Sequence, residues 1–179
     1  MQLLELNGKG LFLQRPVQDR VLACCRESAL LLASFLKHQG VPARVRAGWV
    51  KYISSDQTRF GDHWLTEVWL ASESRWILVD TNPKRIDLPR HEFESGGKAW
   101  LNLRSKQAEP EVYRSDDQLF YVKLNFGHDF NAILGSGPHY WEAPPLFHLK
   151  MEEMDTWHLA LLDELALLLE EPDHNLSLL

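Results

Sequence analysis

The only two cysteines of the 179-residue chain, Cys24 and Cys25, stand side by side at the front of the apolar run CCRESALLLASFLKHQG. His63 opens the segment HWLTEVWL, and Asp80 closes RWILVD. A thiol, an imidazole and a carboxylate are the parts of a nucleophile, a general base and a group that orients the base. The attacking form is thiolate, and a helix N-terminus favours it through unpaired N–H groups and the positive end of the dipole. Cys25, at the start of a predicted helix, has that setting. Cys24 would point about 100° away on a helix, so the two thiols do not share one role, and Cys24 is expected to be a packing residue.

These side chains work together only if the fold gathers them. Cys25 to about His38 predicts a helix: good helix formers, no proline, then Gly40 and Pro42 as a stop. Ala29, Leu30, Leu31, Leu32, Ala33, Phe35 and Leu36 make it apolar nearly all round, which predicts a buried helix. ARVRAGWVKYI, from Ala43, reads as a strand and SSDQTRFGD as a polar loop; HWLTEVWL and RWILVD follow as strands joined by the turn ASES. Pairing through that turn brings His63 and Asp80 to one edge of the sheet. The carboxylate would fix the tautomer of the ring, leaving the other nitrogen to take a proton from Cys25. One helix followed by three strands predicts an antiparallel meander with the helix packed on it.

Beyond Asp80, TNPKRIDLPRHEFESGG is loop-like and KAWLNLRS suggests a short helix. QLFYVKLNFGHDFNAILG predicts an apolar helix ending at Gly135, and GPHYWEAPPLF is irregular. MDTWHLALLDELALLLEE is an amphipathic helix before Pro172. The expectation is an α+β fold with a core over 1–90 and a helical extension over 91–179, packed together as one structural domain.

CRESALLLASFLKHQGVPARVRAGW, DHWLTEVW and RWILVDTN, in that order, resemble the transglutaminase-like superfamily of papain-fold cysteine enzymes. More narrowly they resemble a bacterial branch with a C-R-acidic stretch, a G-[IV]-P-A-R turn, a D-H-W strand and a W-[VI]-L-V-D strand. GGKAWLNLRS, QLFYVKLNFGHDFNAI and LALLDELALL extend the resemblance through most of the chain. It implies a papain-like, transglutaminase-like core with Cys25 as nucleophile, His63 as general base and acid, and Asp80 as orienting carboxylate. It further implies attack on an amide or ester carbonyl, an acyl-thioester, and transfer to water or an amine, with no cofactor. Two features depart from the pattern. Cys24 stands where relatives usually carry a small or amide residue, and only 24 residues precede Cys25. The second oxyanion donor beside the Cys25 N–H is therefore open between Gln14 and Gln18.

Trp49 and Trp64 are expected at the wall of a substrate cleft, with core packing as the alternative. Arg44 and Arg46 suit either a substrate carboxylate or a solvated strand face. Neither CC nor the scattered histidines have the spacing of a structural zinc site, so no metal is predicted. His128, Asp129 and His139 come nearest to a ligand cluster, but isolated polar residues on or after a helix usually lie at the surface. The leucine-rich C-terminal helix suits a dimer seam or intramolecular packing, the latter expected.

The mix of 45% hydrophobic and 25% charged residues is that of an ordinary globular domain. A net charge of −6 gives no support to a nucleic-acid or anionic-membrane partner. No apolar stretch approaches the roughly 20 residues of a membrane span, and MQLLELNGKG lacks the pattern of a signal peptide. Adjacent cysteines do not meet the geometry of an ordinary disulfide, and free thiols fit a reducing cytoplasm. The expected partner is a peptide, amide or acyl-thioester substrate. The competing expectation is a catalytically silent module that binds a peptide or protein in the same cleft.

Overall fold

The computed structural model describes residues 14, 16–20, 22–55, 57–113, 118–137, 139–175 and 177–178. Helix α1 (Cys25–His38) leads into β1 (Ala43–Val50), β2 (Gly61–Leu70) and β3 (Arg75–Asp80). Two short strands follow, β4 (Arg85–Ile86) and β5 (Phe93–Ser95). The sheet is antiparallel throughout, in the order β4-β3-β2-β1-β5. The helical half comprises α2 (Gly96–Arg104), α3 (Gln118–Ile133), the single turn α4 (Pro145–His148), α5 (Thr156–Glu170) and α6 (Pro172–Asn175). Among the described residues no helix is long and apolar enough to cross a membrane. The fold is α+β: helix α1 packs on a five-stranded antiparallel sheet, and the C-terminal helices complete the molecule.

Helix α1 starts where the backbone of Cys24 turns extended and the Glu27 carboxylate accepts the Cys24 N–H at 3.0 Å. Lys37 and His38 sit in its last turn, favourable against the negative dipole end, and Gly40 at φ +76° lets the chain reverse. Its inner face is made small by Ala29 and Ala33, which rest on Ala43, Val45, Ala47 and Trp64 of the sheet. The Thr66 hydroxyl donates to the Ala29 carbonyl at 3.0 Å, a side-chain tie between helix and β2. The expectation of a helix buried all round is corrected here. Leu31 and Phe35 are exposed, because α1 covers one face of the sheet with its outer side open among the described residues.

TNPKRIDLPRHEFESGG, read as loop, contains β4 and β5. Strand β5 pairs with β1 only from Gly48 to Val50, so the rest of that edge of β1 needs another partner. Helix α3 supplies it: Asp129 accepts the Ala47 N–H at 3.0 Å and binds the Arg46 guanidinium through both oxygens at 2.8 Å. With β2 paired along its other edge, both edges of β1 are covered, and it is buried almost end to end. A second core joins Trp49, Trp100, Tyr113, Phe126, Phe147, Leu162, Ala166 and Leu169, so α5 packs within the molecule.

Candidate active site

Cys25 is the first residue of α1 and is half-buried against the Trp64 cluster. The first turn is held by Glu27, whose carboxylate takes the Cys24 S–H at 2.8 Å and Arg26 at 2.9 Å. The thiol of Cys24 first, with the Cys24 N–H and Arg26, outweighs partial burial and holds the Glu27 carboxyl at about 2.

His63 is buried near the start of β2, and its Nε2 lies 2.6 Å from Asp80 Oδ2 at the end of β3. Asp80 is fixed by two further donors. The Tyr52 hydroxyl reaches Oδ2 at 2.5 Å, and the Asn82 N–H reaches Oδ1 at 3.0 Å. With Nε2 committed to the carboxylate, Nδ1 is the nitrogen left for the thiol.

The surroundings sort the protons. Burial works against a charged His63, yet the hydrogen bonds and charges of Asp80 and Cys25 push it up to about 9. Burial pushes the Cys25 thiol up, but the hydrogen bond and charge of His63, the Trp64 N–H and the Tyr140 hydroxyl hold it below its ordinary value. Burial and the Glu27 carboxylate move Cys24 the other way. Asp80 is likewise raised by burial, but the hydrogen bonds from His63 and Tyr52 keep it below the usual carboxylate range. The arrangement favours a thiolate–imidazolium pair at Cys25 and leaves Cys24 a thiol.

Tyr140 comes from the loop between α3 and α4, and its hydroxyl lies 3.0 Å from Cys24 Sγ and 3.8 Å from Cys25 Sγ. Its ring stands edge-on to Trp64 and to His128. A cavity of about 300 Å³ opens on this side, lined by Asp62, Leu124, Asn125, His128, Tyr140 and Trp141. His128 is buried there and, chiefly through that burial, pushed down to about 4, so it is neutral at pH 7.

The other expected site residues are placed differently. Trp49 does not reach a cleft: it is fully buried against Tyr113 in the second core, since β1 is covered on both faces. Trp64 is also a core residue, lying beneath Cys25 rather than along a wall. Gln14 and Gln18 are exposed, and among the described residues no hydrogen bond joins either to Cys25, His63 or Asp80. Cys24 is not packed away; it is exposed and bonded to Glu27 and Tyr140. Arg46 belongs neither to a solvated face nor to a substrate site, because it is buried between Asp129 and Glu67. Arg44 joins the same network through Glu67 and Asp173. His128 and Asp129 are buried rather than at the surface, while His139 is exposed.

Tyr52, Glu27 and Tyr140 were not singled out in the sequence. Glu27 carried a signal, three residues after an N-cap position, where an acid can reach back to the cap N–H. Tyr140 carried none, being 115 residues from Cys25.

The family model described as the transglutaminase-like superfamily matches residues 12–81. That span, which resembles the family, holds Cys25, His63 and Asp80. Comparison with curated proteins and with solved structures gave no match.

Proposed function

We propose that the chain is a cysteine-dependent amide hydrolase or acyltransferase working through an acyl-thioester on Cys25, His63 and Asp80. The observation that carries this reading is geometric: Cys25 opens α1 while His63, held by Asp80 at 2.6 Å, is oriented toward it, a setting that draws Cys25 toward thiolate and leaves the adjacent Cys24, bonded to Glu27, a thiol. A binding module has no use for that distinction.

The chemistry follows from the protons. The Cys25 thiolate attacks the carbonyl carbon, and the carbonyl electron pair moves onto oxygen. Collapse of the adduct expels the amine or alkoxide, which takes the proton from His63. His63, now neutral, removes a proton from the incoming water or amine, and the thioester is cleaved with return of the pair. Asp80 keeps the ring oriented and its charged form stable throughout. The cavity beside Tyr140 is the space for the acyl group or its acceptor.

The test uses p-nitrophenyl acetate as acyl donor with intact-mass and peptide mapping. An acetyl group on Cys25, absent in Cys25→Ala, is the expected result. Label confined to Cys24, or release of p-nitrophenolate undiminished in Cys25→Ala, sinks the reading in favour of a silent peptide-binding module.

A further inference from the structure

The oxyanion formed on Cys25 needs donors, and the backbone N–H of Cys25 is one, because the first residue of a helix has no intrahelical partner for it. Gln14 and Gln18, the sequence candidates for a second, are exposed and unconnected to the triad among the described residues. We propose that the Tyr140 hydroxyl is the second oxyanion donor and that Cys24 holds it in readiness; this rests on the nucleophilic role of Cys25 stated above.

The hydrogen-bond directions around Cys24 determine where the Tyr140 proton points. Glu27 is an ionised carboxylate and accepts only, so the Cys24 S–H at 2.8 Å must be the donor to it. Cys24 Sγ then has its lone pairs free and is the nearer acceptor for the Tyr140 O–H, at 3.0 Å, with Cys25 Sγ the farther one at 3.8 Å. The chain Tyr140 to Cys24 to Glu27 is therefore a one-way relay of donors ending on a charge. A sulfur is a weak acceptor, so the tyrosine proton is held in position without being strongly bound.

The same hydroxyl oxygen lies 3.8 Å from Cys25 Sγ. The oxygen of a tetrahedral adduct is one carbon away from that sulfur, within hydrogen-bond reach of a hydroxyl so placed. As the thiolate attacks, the C–S bond forms and the carbonyl π pair becomes the oxyanion lone pair. The Tyr140 O–H turns from Cys24 Sγ to that oxygen and keeps its proton. When the adduct collapses, the pair returns to the carbonyl, the leaving group takes its proton from His63, and the hydroxyl turns back. No proton is gained or lost at Tyr140.

The loop is anchored as such a role requires. The Gly137 carbonyl accepts from Arg26 of α1 at 2.9 Å, and Arg26 is buried. The Tyr140 ring lies edge-on between Trp64 beneath the thiol and His128 of α3. The hydroxyl is thus fixed relative to the same helix that carries Cys25. This arrangement also gives Cys24 a reason to be a thiol: an alanine there would leave the tyrosine only the more distant Cys25 Sγ, at 3.8 Å, as acceptor, and a carboxylate would bind its proton too tightly to release.

The test compares two reactions of Cys25 in wild type and Tyr140→Phe, a change that keeps the ring and removes only the hydroxyl. Alkylation by iodoacetamide needs the thiolate but forms no oxyanion. Acetylation by p-nitrophenyl acetate needs both. Each is followed across pH to the plateau at which Cys25 is fully ionised. The expected result is a plateau alkylation rate close to wild type with acetylation slower by about 10²-fold, the typical loss for one oxyanion donor. Equal plateaus in both reactions overturn the proposal. So does a parallel fall in both, which would mark a structural role, or an acetylation deficit that vanishes on the plateau, which would mean that the hydroxyl only supports the thiolate. Fast wild-type alkylation with no acetylation at all would instead contradict the acyl-thioester reading, and this proposal with it.

Discussion

Replacing Asp80 by Asn removes the charge facing His63 while keeping the size of the side chain and an acceptor for Tyr52. The ordinary histidine value of 6.5 is pushed up to about 9 in the fold, with burial opposing and Asp80 and Cys25 prevailing. At about 1.4 kcal/mol for each tenfold change in proton affinity, the site favours the imidazolium by about 3 kcal/mol. Without Asp80, only Cys25 is left to oppose burial, which is already the largest single influence, and the His63 midpoint should fall clearly below about 9. The sign of the stability effect is fixed by the direction of the shift. A histidine raised in the folded state stabilises fully below its unfolded value and loses that contribution as pH climbs through the folded one. The His63 contribution should therefore fall off between pH 6.5 and about 9 in wild type and at lower pH in Asp80→Asn, so the variant's stability relative to wild type should change with pH in that window, the opposite contribution of the depressed Cys25 thiol being present in both. NMR titration of the His63 Cε1–H resonance reads the first expectation, and melting temperature against pH reads the second. Titration of His63 near 6.5 in wild type, or an identical midpoint in both proteins, would refute the argument that Asp80 holds the charge.

Other expectations concern the elements that place the site. Burial works against the Glu67 carboxylate, but Arg46, Arg44 and Arg90 hold it down at about 2 against an ordinary 4.5. A depressed carboxylate stabilises above its unfolded value and loses this as pH falls, so wild type should lose about 3 kcal/mol between pH 4.5 and 2 that Glu67→Gln does not lose; acid unfolding curves with equal slopes would disprove it. Asp129→Asn takes the charge from a buried pair held by two contacts of 2.8 Å and should lower stability by about 3–5 kcal/mol in urea unfolding. Gly96→Ala would place a Cβ 2.5 Å from the Phe126 Cα and 2.8 Å from the Asn125 carbonyl, backbone that cannot yield cheaply. A loss of about 3 kcal/mol is expected, at the upper end for overpacking, and a loss within experimental error would contradict the close α2–α3 contact.

The parts of the fold legible in the sequence are those set by local chemistry. The run from Cys25 to His38 with Gly40 behind it defines α1. The ASES turn between two β-rich segments defines the β2–β3 hairpin, whose ends bring His63 and Asp80 to 2.6 Å. What escaped depends on distant partners. Strands β4 and β5, two and three residues long, are too short to show a period and exist because β3 and β1 offer edges. Arg46 looks like a surface residue until Asp129, 83 positions away, pairs with it. Trp49 looked available to a cleft because nothing local reveals that Tyr113 will cover it. Cys24 looked like filler because its partner Tyr140 lies on a loop with no regular pattern.

The most direct test of the central claim is site-resolved iodoacetamide labelling of Cys24 and Cys25 across pH, in wild type and in His63→Ala. The account predicts that wild-type Cys25 reacts at a pH well below Cys24, and that this advantage disappears in His63→Ala. If both thiols react alike near the unperturbed pKa of about 8.5, or if His63→Ala leaves Cys25 unchanged, there is no thiolate–imidazolium pair and the proposed chemistry is wrong.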